Sequence, residues 1–176
     1  MASNPHVFRV NARELLRQPG LTKHVTVDIP AAELGVDDDR ITGPVSVDLL
    51  AVSAVDGISV HGSITMPWAT SCRRCLVAIT GTATIYVGEM YRDDVRIDDD
   101  AFEIDGDQID LGAAIREYVV LGLPDDRVCR DACAGLCPVC GIDRNVATCE
   151  CDTTVRDERW AALDQLDLGD LHLDEN

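Results

Sequence analysis

The chain has 176 residues, 46% of them hydrophobic and 27% charged, with only 13 Gly and 7 Pro; this excludes a low-complexity linker and leaves room for one domain plus a small satellite. Its 32 Asp and Glu outweigh 15 Lys and Arg, a net charge of −17, and such a balance repels phosphate backbones. Seven aromatics, Phe8, Trp68, Tyr86, Tyr91, Phe102, Tyr118 and Trp160, offer few base-stacking platforms, so a conventional nucleic-acid-binding surface is disfavoured.

In chain order, Asn11-Ala-Arg-Glu14 has the spacing of a capping box before Leu15-Leu16 and the stop Pro19-Gly20, which predicts a short helix over about 11–18. From Val25 to Val87 the pattern turns to alternation and β-branching, in Val25–Ile29, Val45–Val52, Ile58–Met66 and Leu76–Val87, and predicts antiparallel strands joined by short turns. Residues 93–110 then hold nine acids and one Arg. Asp110 can cap a helix over Leu111–Leu121, whose Leu111, Ile115, Tyr118 and Val119 share one face and which Gly122 and Pro124 end. Residues 129–151 are rich in cysteine and broken by Gly and Pro. Thr154–Leu166, with Val155, Trp160, Leu163 and Leu166, reads as a terminal helix ahead of an acidic tail, and residues 152–176 hold eight acids and two Arg. Both acidic runs read as solvated surface, with a docking face for a basic partner as the sharper alternative. The expected organisation is an α+β unit over 1–128, a cysteine-rich metal-binding segment over 129–151, and a terminal helix with acidic tail over 152–176.

The first ten residues have no basic region followed by an apolar one, and no apolar run approaches the about 20 residues of a membrane-spanning helix. A cytoplasmic location away from membranes is expected, where thiols stay reduced and clustered cysteines point to metal or redox chemistry rather than disulfides.

Cys137-Pro-Val-Cys140-Gly141 is a zinc-knuckle sequence. Two thiolates three residues apart can grip one ion while the Gly lets the turn close. Cys149-Glu-Cys151, after eight intervening residues, supplies a second pair, and the segment has too few apolar residues to hold its shape without such a staple. The four remaining cysteines, Cys72-Arg-Arg-Cys75 between two predicted strands and Cys129-Arg-Asp-Ala-Cys133 after the central helix, complete a second four-thiolate Zn2+ site. The alternative is that Cys72 and Cys75 are buried or reversibly oxidised thiols and that Cys129 and Cys133 are spare. A thioredoxin-like role for Cys72 and Cys75 is weaker, because a strand rather than a helix follows them. Four thiolates close a zinc shell and leave no position for an activated water, so both sites read as structural. His6, His24, His61 and His172 stand singly. There is no H-E-x-x-H, phosphate-cradling glycine loop or G-x-S-x-G, and Asp105-Gly106 lacks the flanking ligands of a calcium loop. No catalytic residue is assigned.

Cys72-Arg-Arg-Cys75-Leu76, the helix Leu111–Leu121 followed by Leu123-Pro124, the run from Cys129 and Cys133 through Cys137-Pro-Val-Cys-Gly141 and Asn145 to Cys149-Glu-Cys151, and Arg159-Trp160-Ala-Ala-Leu163 together resemble the YceD family of large-ribosomal-RNA-subunit accumulation proteins, in an actinobacterial type with a distal cysteine cluster. The resemblance implies a non-enzymatic factor for synthesis, processing or stability of large-subunit (23S) rRNA, encoded beside a small basic ribosomal protein. The fold expected is α+β: an antiparallel sheet that could curl toward a barrel, with flanking helices and a zinc-bound C-terminal segment. The expected partner is a large-subunit precursor or a basic large-subunit ribosomal protein; the charge balance favours the basic protein, with direct RNA contact left open. The rival reading is a redox-regulated zinc-binding holdase chaperone, although in such chaperones the C-x-C pair comes first and here it comes last.

Overall fold

The computed structural model describes residues 8–93, 101–153 and 158–165. Its framework is an open, mostly antiparallel sheet in the order β2 (Thr22–Ile29), β3 (Val45–Ala54), β4 (Gly57–Ser71), β5 (Ala78–Arg92) and β6 (Phe102–Glu103). The sheet does not close into a barrel: β2 and β6 are its two ends, and β6 adds as a parallel strand, opposite only Tyr91 and Arg92. A separate ribbon pairs β1 (Arg9–Asn11) with β7 (Gln108–Asp110). α1 (Ala12–Leu16), a 3-10 turn at Ala31–Leu34 and α2 (Gly112–Leu121) complete the fold ahead of the cysteine-rich segment.

The strand pattern does the sorting. Along β3, Val45, Val47, Leu49 and Ala51 are buried while Asp48, between two of them, is exposed; period-2 alternation puts successive side chains on opposite faces. These residues join Ile58, Val60, Ile64 and Met66 of β4, Val87 and Tyr91 of β5, and Leu111, Ile115 and Val119 around α2 in one core. On the opposite face β5 exposes Thr80, Thr82, Thr84 and Tyr86.

The expected cap holds at α1, whose N-cap is Asn11, whereas at α2 the N-cap is Leu111, which makes no side-chain capping bond, and Asp110 acts from one residue earlier. The Glu14 N–H donates to Asn11 Oδ1 at 2.9 Å at the start of α1, and the Gly112 N–H donates to Asp110 Oδ1 at 2.8 Å at the start of α2. Each satisfies an amide that the first turn of a helix leaves without a partner.

Four features differ from the sequence expectation. β4 runs past Pro67 to Ser71. The Pro67 carbonyl accepts the Thr42 N–H at 3.1 Å, so the donor-less Pro67 nitrogen faces the Ile41–Thr42 segment ahead of β3, away from β5, and the β4–β5 ladder loses no bond. β5 begins at Ala78, because Leu76 and Val77 belong to the turn before it. The acidic segment is partly ordered into β6 and β7, because Phe102 stacks on Tyr91 with ring centroids 5.3 Å apart and Ile104 and Ile109 enter the core; residues 94–100 lie outside the described ones. Finally, Glu158–Gln165 is a 3-10 rather than an α-helix. Its three-residue turn stacks Trp160 over Leu163, and both are exposed. The flanking 154–157 and 166–176 lie outside the described residues.

Candidate metal centres

The end of β4 runs into a tight knuckle. The Cys72 N–H donates to the Val77 carbonyl at 2.8 Å and the Leu76 N–H donates to the Cys72 carbonyl at 2.9 Å. Both Cys72 and Cys75 point inward and are buried. The same local structure recurs at the second pair, where the Cys137 N–H donates to the Ile142 carbonyl at 2.8 Å and the Gly141 N–H to the Cys137 carbonyl at 2.9 Å. Each knuckle needs a left-handed residue after its second cysteine. Gly141 meets that with φ 74°, and Leu76 meets it with φ 62°, alone among described non-glycine residues in having a positive φ.

The chain after α2 brings Cys129 and Cys133 onto the first knuckle. The sulfurs of Cys72, Cys75, Cys129 and Cys133 all lie within 4.8 Å of one another, with Cys72 to Cys133 at 3.9 Å and Cys75 to Cys129 at 3.7 Å. Those separations exclude disulfides, whose S–S bond is about 2.05 Å. They suit a tetrahedral ion instead, since four sulfurs each about 2.3 Å from a centre stand about 3.8 Å apart. Ile79, Val128 and Leu136 pack around this group as a small cluster apart from the main core. The second group, Cys137, Cys140, Cys149 and Cys151, is gathered equally tightly, with Cys137 buried and Cys140 exposed. Each group of four can hold one metal ion, and all eight sequence-nominated cysteines fall into one or the other.

The chemistry of the donors fits a cation. Burial pushes the Cys72 thiol up, but the backbone N–H groups of Cys75, Arg74 and Cys129 outweigh it and hold the thiol at about 6. The N–H groups of Cys140 and Val139 bring Cys137 to about 6 against its burial. Burial, followed by the neighbouring Cys133, Cys75 and Cys72, pushes Cys129 up to about 12, and Cys140, followed by burial, pushes Cys151 to about 12. Each group thus contains a ready thiolate and a thiol whose ionisation the other sulfurs oppose, a conflict that a divalent cation among them removes.

The arginines beside the cysteines act as struts. Arg74 Nη1 donates to the carbonyls of Asp131 and Cys133 at 3.1 and 3.2 Å, and the Leu136 N–H returns to the Arg74 carbonyl at 2.9 Å. This ties the cysteine-rich segment to the sheet through the first knuckle. Sequence reasoning missed this role of Arg74, and it missed the left-handed Leu76; aligning Cys-x-x-Cys-Leu with Cys-x-x-Cys-Gly would have shown the latter. Of the histidines, His24 lies against Asp48 at 2.5 Å and is exposed, His61 is exposed, and His6 and His172 lie outside the described residues. Neither His24 nor His61 joins the sulfur groups.

An open sheet whose β4–β5 turn is tied by one four-cysteine group to a cysteine-rich segment that carries a second such group defines the class of protein. The family model described as "Large ribosomal RNA subunit accumulation protein YceD" matches residues 60–167, more than half of the chain, and the protein belongs to that family. Uncharacterized proteins of Mycobacterium bovis and Mycobacterium tuberculosis are each 30% identical over 145 residues, covering 76% of this chain and 69% of theirs. One of Mycobacterium leprae is 30% identical over 148 residues, covering 78% and 67%. No solved structure matches. The family's description gives it a role in the accumulation of large-subunit rRNA. Among the described residues, no helix is long and apolar enough to cross a membrane.

Proposed function

We propose that this protein is a non-enzymatic, cytoplasmic ribosome-biogenesis factor that supports accumulation of large-subunit rRNA by holding a basic large-subunit protein, alone or on a precursor particle, until it is delivered. The family membership carries this reading. The net charge of −17 refines it, because such a chain gains little from counterion release on RNA and attracts a cationic protein. The acidic runs at 93–110 and 152–176 concentrate that charge, although 94–100, 154–157 and 166–176 lie outside the described residues.

Both cysteine groups are proposed to hold Zn2+: Cys72, Cys75, Cys129 and Cys133 in one, Cys137, Cys140, Cys149 and Cys151 in the other. Four soft thiolates at tetrahedral spacing suit zinc, with iron the other ion of that preference. Bound zinc would supply a closed structural staple. The surrounding residues do the rest: backbone amides at Arg74 and Cys129 donate to Cys72 Sγ at 3.4 and 3.3 Å, orienting the sulfur and favouring its thiolate.

An affinity pull-down of the full chain from growing cells at low and at physiological salt, with protein and RNA both identified, tests the partner. Recovery of a basic large-subunit protein, weakening as salt rises, is expected. Recovery of naked large-subunit RNA alone at both salts would overturn the escort. The holdase reading separates by peroxide treatment, which would have to release metal and create aggregation-suppressing activity.

A further inference from the structure

Asn145 lies in the loop between Cys140 and Cys149, so by sequence it belongs to the second cysteine group. Its side chain works at the first. Asn145 Nδ2 donates to Cys133 Sγ at 3.5 Å and to Asp143 Oδ1 at 2.6 Å, while Asn145 Oδ1 accepts the Ala134 N–H at 2.9 Å and Arg130 Nη2 at 2.7 Å. The amide orientation follows from these partners: two donors face its oxygen, and a carboxylate and a sulfur face its nitrogen, so a flipped amide would lose all four contacts. A turn-forming role accounts for part of this, since the Asn145 N–H also donates to Asp143 Oδ1 at 2.9 Å. It does not account for an amide aimed at a sulfur of the other group.

The loop that presents Asn145 is tied to the second group and to the segment joining the groups. The Cys137 N–H donates to the Ile142 carbonyl at 2.8 Å, the Arg144 N–H donates to the Gly135 carbonyl at 2.9 Å, and Leu136 bridges Asp143. Cys140 and Cys149 fix the two ends of the loop. We infer that the two cysteine groups form one coupled metal-binding unit in which Asn145 is the positioning residue: closing the second group around an ion holds the Asn145 N–H against the Cys133 sulfur and so tightens the first. The inference rests on the reading that both groups hold metal. Coupling between binding sites is reciprocal, so an ion in the first group tightens the second by the same factor. Loss of a partner that orients a metal ligand typically weakens metal binding about 10–100-fold, and that is the size expected here.

The test uses the full chain with cobalt(II) as probe, read by thiolate-to-cobalt absorption against a competing chelator. Cobalt affinity of the first group is measured with the second group intact and with it removed by Cys149→Ser and Cys151→Ser. With Asn145 in place, the intact second group should raise that affinity about 10–100-fold. In an Asn145→Ala background the ratio should fall to about one, a double-mutant cycle that isolates the coupling. Asn145→Asp keeps oxygens for Ala134 and Arg130 but removes the N–H donor, so it should lose coupling as Ala does; retained coupling in the Asp variant would show that the loop anchor, not the N–H to sulfur bond, matters, and would overturn the assignment. Two ions bound with a ratio near one in the native chain would overturn the coupling alone. No cobalt bound by the native chain would overturn the metal reading and the coupling with it.

Discussion

Leu76 occupies, at φ 62°, the position that Gly141 fills in the other knuckle at φ 74°. A left-handed residue with a Cβ costs about 1–2 kcal/mol, and glycine recovers that at an entropic cost of about 0.5–1 kcal/mol. Leu76→Gly should therefore leave stability unchanged or raise it by up to about 1 kcal/mol. Gly141→Ala should lower it by about 1 kcal/mol, although nothing lies within 4 Å of the added carbon. Urea unfolding of the two variants checks both, and a Leu76→Gly variant much less stable than the native chain would show that the leucine side chain has a role of its own. Gly62 is a harsher case. At φ 151° its added Cβ would stand 2.1 Å from the Asp48 carbonyl oxygen, so Gly62→Ala should destabilise by about 3 kcal/mol or more, a loss of urea midpoint with the metal content unchanged. The thiols add a pH dependence to the metal-free chain. Cys72 and Cys137, lowered from 9.0 to about 6, contribute stability that is full above about 9 and is lost as pH falls through 6. Cys129 and Cys151, raised to about 12, contribute stability that is full below about 9 and is lost as pH rises through 12. Stability of the metal-free chain should rise from pH 6 toward 9 and fall beyond it. A flat urea midpoint across that range would contradict the assignment.

At the scale of elements, the main core and the cysteine groups are separable. The core of β2–β5 and α2 contains no cysteine, whereas Cys72, Cys75 and Cys133 form their own small cluster. Cys137→Ser should thus loosen residues 129–151 first and leave the sheet folded. In hydrogen exchange, protection should vanish at the amides of Gly141 and Arg144 and persist along β3 and β4; equal loss in both places would contradict it. The same division explains what was readable beforehand. β2 to β5 carry four or more alternating residues each, Asn11 is the N-cap of α1 and Asp110 lies one residue before that of α2, so these elements are visible in the pattern. The cysteine spacing likewise marked all eight sulfurs. β1, β6 and β7 are two or three residues long, shorter than any periodicity window, and the latter two are embedded in acids. Pro67 hid the far half of β4 because its tolerance depends on where the neighbouring strand begins. The roles of Asn145 and Arg74 were not legible, because each is defined by partners distant in sequence rather than by a local motif.

For the whole molecule, the proposed escort makes charge the property that sets how a partner is met. The run 93–110 carries nine acids against one Arg, and exposed charges act mainly on the association rate, screened over about 8 Å at physiological ionic strength. Replacing Asp98, Asp99 and Asp100 by Asn should slow capture of a basic large-subunit protein more than it speeds release, measured by stopped-flow or surface-binding kinetics at two salts. Normal rates with earlier aggregation would instead assign these acids to solubility alone. The reading as a whole stands on the large subunit. Its most direct test is the ratio of mature large- to small-subunit rRNA as the protein is depleted from growing cells: the account predicts that the ratio falls, and that the native chain restores it. A ratio unchanged through depletion, with normal ribosome profiles, would contradict it.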